Sequence, residues 1–116
     1  MKNTMTELQL NGKTYPVVFN LNVMEAIQEE YGTLDAWGAI TDAKDGEPNA
    51  KAVIFGFTEM INEGLDIQCE ETGEEYKPLT LKQVGRVITE YGLLEATKKM
   101  NSAVVESTKT KKTKNG

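Results

Sequence analysis

The chain has 116 residues, no histidine and a single cysteine, Cys69. Those two counts remove most side-chain chemistry. Without an imidazole there is no general base of the usual kind, no Ser–His or Cys–His nucleophile pair, and none of the commonest metal ligand. A zinc site needs several thiolates or imidazoles, and one thiol cannot supply them. Glu70 and Glu71 follow Cys69 directly and disfavour its thiolate, so the cysteine reads as a bystander. Carboxylates are what remain. Glu70, Glu71, Glu74 and Glu75 cluster around Thr72-Gly73, but they lack the alternating Asp ladder and closing Glu of a calcium loop. A solvated hairpin tip accounts for them better. Asp42, Asp45 and Glu47 read the same way, as loop solubility.

Glu25, Glu29 and Glu30 offer pairs of acids on one helix. Glycosidase chemistry needs two carboxyls opposed across a substrate, and neighbours on one exposed helix face do not provide that. The glycines form neither GxGxxG nor a phosphate loop ending in Lys-Ser/Thr. Trp37 and Phe57 are expected as core anchors. The sequence therefore yields no catalytic, cofactor-binding or metal-ligating residue, and the expectation is a protein that is not an enzyme. It assigns no partner-binding residue either.

The elements that would position any site are more legible. Leu8 and Leu10 precede Asn11-Gly12, and Tyr15, Val17 and Phe19 follow it. Alternation on both sides of the pair best suited to a type I′ turn predicts a β-hairpin, with strands over residues 7–10 and 14–19. Residues 1–5 are expected to fray. Pro16 cannot donate to a ladder, so it is expected at an edge or facing outward.

Asn22 with Glu25 predicts a capped first helix. Val23, Met24, Ile27 and Tyr31 form its apolar stripe, and Gly32 its left-handed stop. Thr33 is expected to cap a second helix over residues 34–40 with Leu34, Trp37 and Ile40 on one side. A polar loop over 42–48 follows. Asn49 starts a third helix over 50–63, where Val53, Phe57, Met60 and Ile61 make a stripe that Ile54 and Phe55 widen. It is the expected centre of the core, ended by Gly64. Residues 65–79 read as a small exposed hairpin or irregular loop.

Thr80 and Gln83 form a second capping box for a helix carrying Leu81, Val84, Ile88 and Tyr91. Gly92 stops or bends it, and a last helix over 93–105 carries Leu93, Ala96, Met100 and Val104. Val104 and Val105 are adjacent and cannot share one interior line. A face of the third or fifth helix is thus a candidate for partner contact, equally well for completing the fold or a homodimer. The fold class expected is α+β, mainly helical: an N-terminal β-hairpin followed by four to five amphipathic helices. One helical domain covers 1–106, and residues 107–116 form a disordered lysine-rich tail.

Bulk composition agrees with that outline. Charged residues at 27% and hydrophobic ones at 39% fit a globular protein, and no apolar run approaches the ~18 residues of a membrane span. The first residues lack the apolar core of a secretory signal. One cysteine permits no internal disulfide and fits a reducing cytoplasm. Net charge is −5, with 13 basic and 18 acidic residues. Four lysines (Lys109, Lys111, Lys112 and Lys114) lie in the last eight residues, leaving 9 basic against 18 acidic in the body, a net of −9. An acidic body repels phosphates, so specific nucleic-acid binding is not expected.

Three segments carry a resemblance. Residues 10–19 (LNGKTYPVVF), 22–32 (NVMEAIQEEYG) and 78–88 (PLTLKQVGRVI) resemble, in wording and order, the tail assembly chaperones of long-tailed (siphovirus-type) bacteriophages and related prophages. The likeness spans about residues 7–105 and rests on turns and caps. It implies a host-cytoplasmic protein that binds the long helical tape-measure protein, keeps it soluble, and helps recruit tail-tube protein subunits around it. It also implies a possible homo-oligomer, no cofactor and no membrane. A longer product made by ribosomal frameshifting is common in that family, and Lys111-Lys112 is compatible with a slippery codon pair. The acidic 70–75 segment looks like an insertion. The alternatives are a structural virion component (tail-tube or head–tail connector protein), a generic intracellular interaction domain or regulator and, remotely, a small enzyme using carboxylates alone.

Overall fold

Asn11 and Gly12 take φ of 52° and 79°, the positive pair that a type I′ turn requires. In the computed structural model, which describes residues 5–42 and 46–113, they join β1 (Met5–Leu10) to β2 (Lys13–Val18) as a two-stranded antiparallel sheet. Leu8 stands opposite Tyr15, and Thr6 opposite Val17. The strands are thus longer or shifted relative to the alternation. Met5 already pairs with Val18, while residues 1–4 of the expected frayed end lie outside the described residues. Pro16 pairs with Glu7, which a two-stranded sheet tolerates because each strand has an open side. Its ring does not face outward, however. Pro16, Val17, Val18 and Phe19 are all buried, so β2 is covered on both faces.

The expected capping by Asn22 is corrected. The cap of α1 (Leu21–Tyr31) is Asn20, whose Oδ1 accepts from the Val23 N–H at 3.2 Å. Asn22 is free to turn elsewhere because it already lies inside the first turn. Gly32 ends α1 at φ 92° and ψ −56°, a positive φ but not the left-handed helical conformation expected. Thr33 Oγ1 caps α2 (Leu34–Asp42) by accepting from the Ala36 N–H. That helix reaches two residues beyond the expected 40, so Asp42 belongs to it. Of the polar loop after it, residues 43–45 lie outside the described residues, and Pro48 is buried.

Asn49 caps α3 as expected, but α3 runs Ala50–Thr72. Gly64 does not stop it. A Cβ at Gly64 would sit 2.7 Å from Pro16 Cβ and 3.3 Å from Val18 Cγ2, so the residue is there to let β2 lie close against the helix. The true C-cap is Gly73 at φ 81° and ψ 7°, its N–H bonded to the Cys69 carbonyl. The expected hairpin or loop over 65–79 is therefore mostly helix, followed by an irregular return. Asn62 clasps that return: its Nδ2 donates to the Leu79 carbonyl at 3.0 Å and its Oδ1 accepts from the Leu79 N–H at 2.8 Å.

The Thr80–Gln83 capping box forms in full at α4 (Leu81–Tyr91). Gly92, at φ 107° and ψ 124°, breaks α4 from α5 (Leu93–Thr113). That last helix passes the expected end at 105 and enters the stretch expected as a tail. The architecture is the expected one, mainly helical with an N-terminal hairpin followed by five helices.

The core gathers around α3, which packs on β2, α1, α2, α4 and α5. Leu8, Phe19, Ile27, Trp37, Phe57, Met60 and Met100 are fully buried within it. Burying one side chain of that size stabilises by about 1.5–3 kcal/mol. The Lys98–Glu95 pair, 3.7 Å apart and exposed at both ends, contributes at most about 0.5 kcal/mol. Packing holds the fold, and charge decorates it.

Candidate functional site: a groove between α2 and α5

Helix α2 is short, and only part of it is covered. Trp37 is buried, with its indole N–H donating 3.0 Å to the Ala52 carbonyl. Gly56 makes room for that ring, since a Cβ there would overlap it and lie 3.3 Å from Met100 Sδ. Trp37 thereby fixes α2 across the first turns of α3. On the outer side Leu34 is half-buried and Ile40 is 38% exposed.

Helix α5 completes the site. Ala96, Met100 and Ala103 face the core, and Ser107 is buried with its hydroxyl donating 2.8 Å to the Phe19 carbonyl. That arrangement turns Val104 half out and leaves Val105 54% exposed, as their adjacency requires. Between α2 and α5 lies an open groove of about 500 Å³. Its apolar lining is Leu34, Trp37, Ala39, Val104 and Val105, and Asp35, Asp42 and Asn101 are its polar members. Gly38 also lines it, and a Cβ there would meet nothing within 4 Å. Greasy walls with few polar groups suit a side-chain row of another helix.

A second hollow, about 640 Å³, lies between the hairpin tip and α4. Leu10, Tyr15 and Val87 line it with Lys13, Arg86 and Glu90, and Asn11 Nδ2 donates 3.0 Å to Glu90 Oε1. Glu90 is the carboxylate in its lining.

Of the acids considered from sequence, Asp42 lines the α2–α5 groove and the others fall elsewhere or lie outside the described residues. Glu25, Glu29 and Glu30 are exposed on α1. Glu70, Glu71, Glu74 and Glu75 are exposed around the end of α3, Glu47 is exposed, and Asp45 lies outside the described residues. Cys69 is half-buried and its Sγ donates to the Glu75 carbonyl at 3.5 Å. Among the described residues no group of three or more thiol and carboxylate side chains could hold a metal ion.

One acidic cluster escaped the sequence because three separated segments build it. Glu63 Oε2 accepts from Asn20 Nδ2 at 2.8 Å and from Asn22 Nδ2 at 3.0 Å. Partial burial, with Glu63 adding like charge, raises the Glu59 carboxyl above its usual range. Burial also pushes Tyr76 up, with Asp66, Glu59, Glu63 and Cys69 adding to it. These side chains line neither hollow described above. The arrangement ties α1 to α3. No helix among the described residues is long and apolar enough to cross a membrane. No family model, curated protein or solved structure matches the chain.

Proposed function

We propose that the chain is a tail assembly chaperone of a long-tailed bacteriophage or prophage. It works in the host cytoplasm as a binding protein without catalysis, holding the tape-measure protein soluble until tail-tube subunits enclose it. The groove between α2 and α5 carries the physical side of this reading. It presents an open apolar lining on a molecule with net charge −5. An amphipathic client helix loses its exposed stripe into the groove, while the acidic exterior keeps the complex dispersed. The identity of the client comes from the resemblance of residues 10–19, 22–32 and 78–88. Those segments form the hairpin, α1 and the capped start of α4, the frame on which the groove is carried.

A shallow groove also suits release. A contact that buries less than the roughly 1,200–2,000 Å² of a stable complex exchanges readily, and many weak sites along one long client add through their number. Such a chaperone can be displaced as tube subunits polymerise.

Co-expression with the tape-measure protein encoded beside it tests the reading. The soluble yield of the client is expected to rise several-fold and the two proteins to co-purify. Unchanged yield without co-purification contradicts the proposal, as does recovery of the chain from purified virions, where a tube or connector protein would remain.

A further inference from the structure

We propose that the groove between α2 and α5 selects a cationic amphipathic helix, one with lysine or arginine at positions seven apart beside its apolar stripe. The inference rests on the chaperone reading for its biological client, though the binding itself can be measured without it. Asp35 and Asp42 both line the groove and are separated by two helical turns, so they lie on one side of α2 about 10 Å apart along its axis. Both are exposed, and among the described residues neither has a cationic partner.

Asp42 is the more telling of the two. It is the last residue of α2, whose final turn contains no basic residue. A carboxylate at that end faces the negative pole of the helix and is locally unfavourable. A cation brought by the occupant relieves it. Asp35 occupies the favourable first turn, yet it extends the same negative edge.

The apolar lining supplies the complementary half. Val105 is 54% exposed, and the open space at Gly38 lets a helix approach α2 closely. An anionic helix is repelled by the same two aspartates. A second copy docking through this face would bring four carboxylates into one small interface, which disfavours it as the occupant.

Two synthetic helical peptides of about three heptads provide the probe. Both carry one leucine stripe, flanked in one by lysines seven apart and in the other by glutamates. Binding is followed by the anisotropy of a fluorophore carried on each peptide. The lysine peptide is expected to bind at least about tenfold more tightly than the glutamate peptide, and the preference should shrink in about 1 M salt. Gly38→Leu fills the groove and should weaken the lysine peptide about tenfold or more while the thermal transition is retained. The double variant Asp35→Lys/Asp42→Lys should reverse the preference.

Equal affinity for both peptides, no binding of either, or unchanged binding to folded Gly38→Leu overturns the proposal. So does a dimeric free chain that Gly38→Leu makes monomeric, because the occupant is then a second copy. Client solubilisation that survives both variants would sink this inference and leave the chaperone reading standing. Selective peptide binding with no effect on the client would do the reverse.

Discussion

Glu59 has a carboxyl held above its usual range by partial burial and by Glu63, and the sign of its effect on stability follows. A raised folded-state value means that the protonated form is the one favoured in the native protein. The associated stability is fully present below about pH 4.5, the unfolded value, and is lost as pH rises through the folded value. At neutral pH the ionised carboxylate therefore opposes folding. Glu59→Gln keeps the shape and removes the charge. It should raise the melting temperature at pH 7, with an advantage that fades as melts are repeated toward pH 4. An equal advantage at both values would show that packing, not ionisation, distinguishes the two side chains. Glu63 stands one turn from Glu59 on the same helix, but Asn20, Asn22 and Tyr76 reach that cluster only through the fold.

Two glycines inside helices make opposite predictions at the scale of the element. Gly64 lies against the Pro16 ring, where an added Cβ would sit 2.7 Å from Pro16 Cβ. Gly38 faces open space. Replacing an interior helical glycine by alanine gains about 1 kcal/mol, and overpacking costs about 1–3 kcal/mol. Gly64→Ala should thus lose roughly 1 kcal/mol net, and Gly38→Ala should gain up to about 1 kcal/mol. Denaturant unfolding of the two variants measures both, and a stabilised Gly64→Ala would mean that β2 does not lie against α3 as described.

The same glycine shows where sequence reading stops. The turn at Asn11-Gly12, the caps at Thr33, Asn49 and Thr80, and the stripe Val53, Phe57, Met60 and Ile61 are local signals, set within a few residues. Gly64 after an apolar stripe also looks local, as a helix stop. Its cause is a proline 48 positions earlier in the chain, and α3 runs on to Gly73. Asn20 and Asn22 are likewise both competent caps. Glu63 on another helix accepts a bond from each and so does not choose between them; α1 begins at Leu21, which leaves Asn20 outside it as the cap and Asn22 inside its first turn. The groove was half legible: adjacency of Val104 and Val105 requires one to face out, but Leu34, Asp35 and Asp42 meet them only by tertiary packing.

At the scale of the whole molecule, α3 is a spine of 23 residues against which the hairpin, α1, α2, α4 and α5 pack. Such a layout turns its bulky side chains inward and leaves the α2–α5 edge as one of the places where apolar surface meets solvent, beside the exposed Leu21, Leu81 and Leu94. Clasps hold the periphery in register, among them Asn62 on Leu79 and Ser107 on the Phe19 carbonyl. Replacing Ser107 by alanine removes a buried bond and should cost about 1–3 kcal/mol, loosening the far end of α5 first. Hydrogen exchange at residues 104–108 would register that loss, and unchanged protection there would mean that the Ser107–Phe19 bond does not secure α5.

The central claim is that the molecule acts by holding a helix at that edge. Hydrogen exchange on the complex with the tape-measure protein tests it most directly. The account predicts new protection concentrated in α2, residues 34–42, and along α5 at residues 101–105. Protection confined to the hairpin tip and α4, or no protection anywhere in a complex that demonstrably forms, would contradict it.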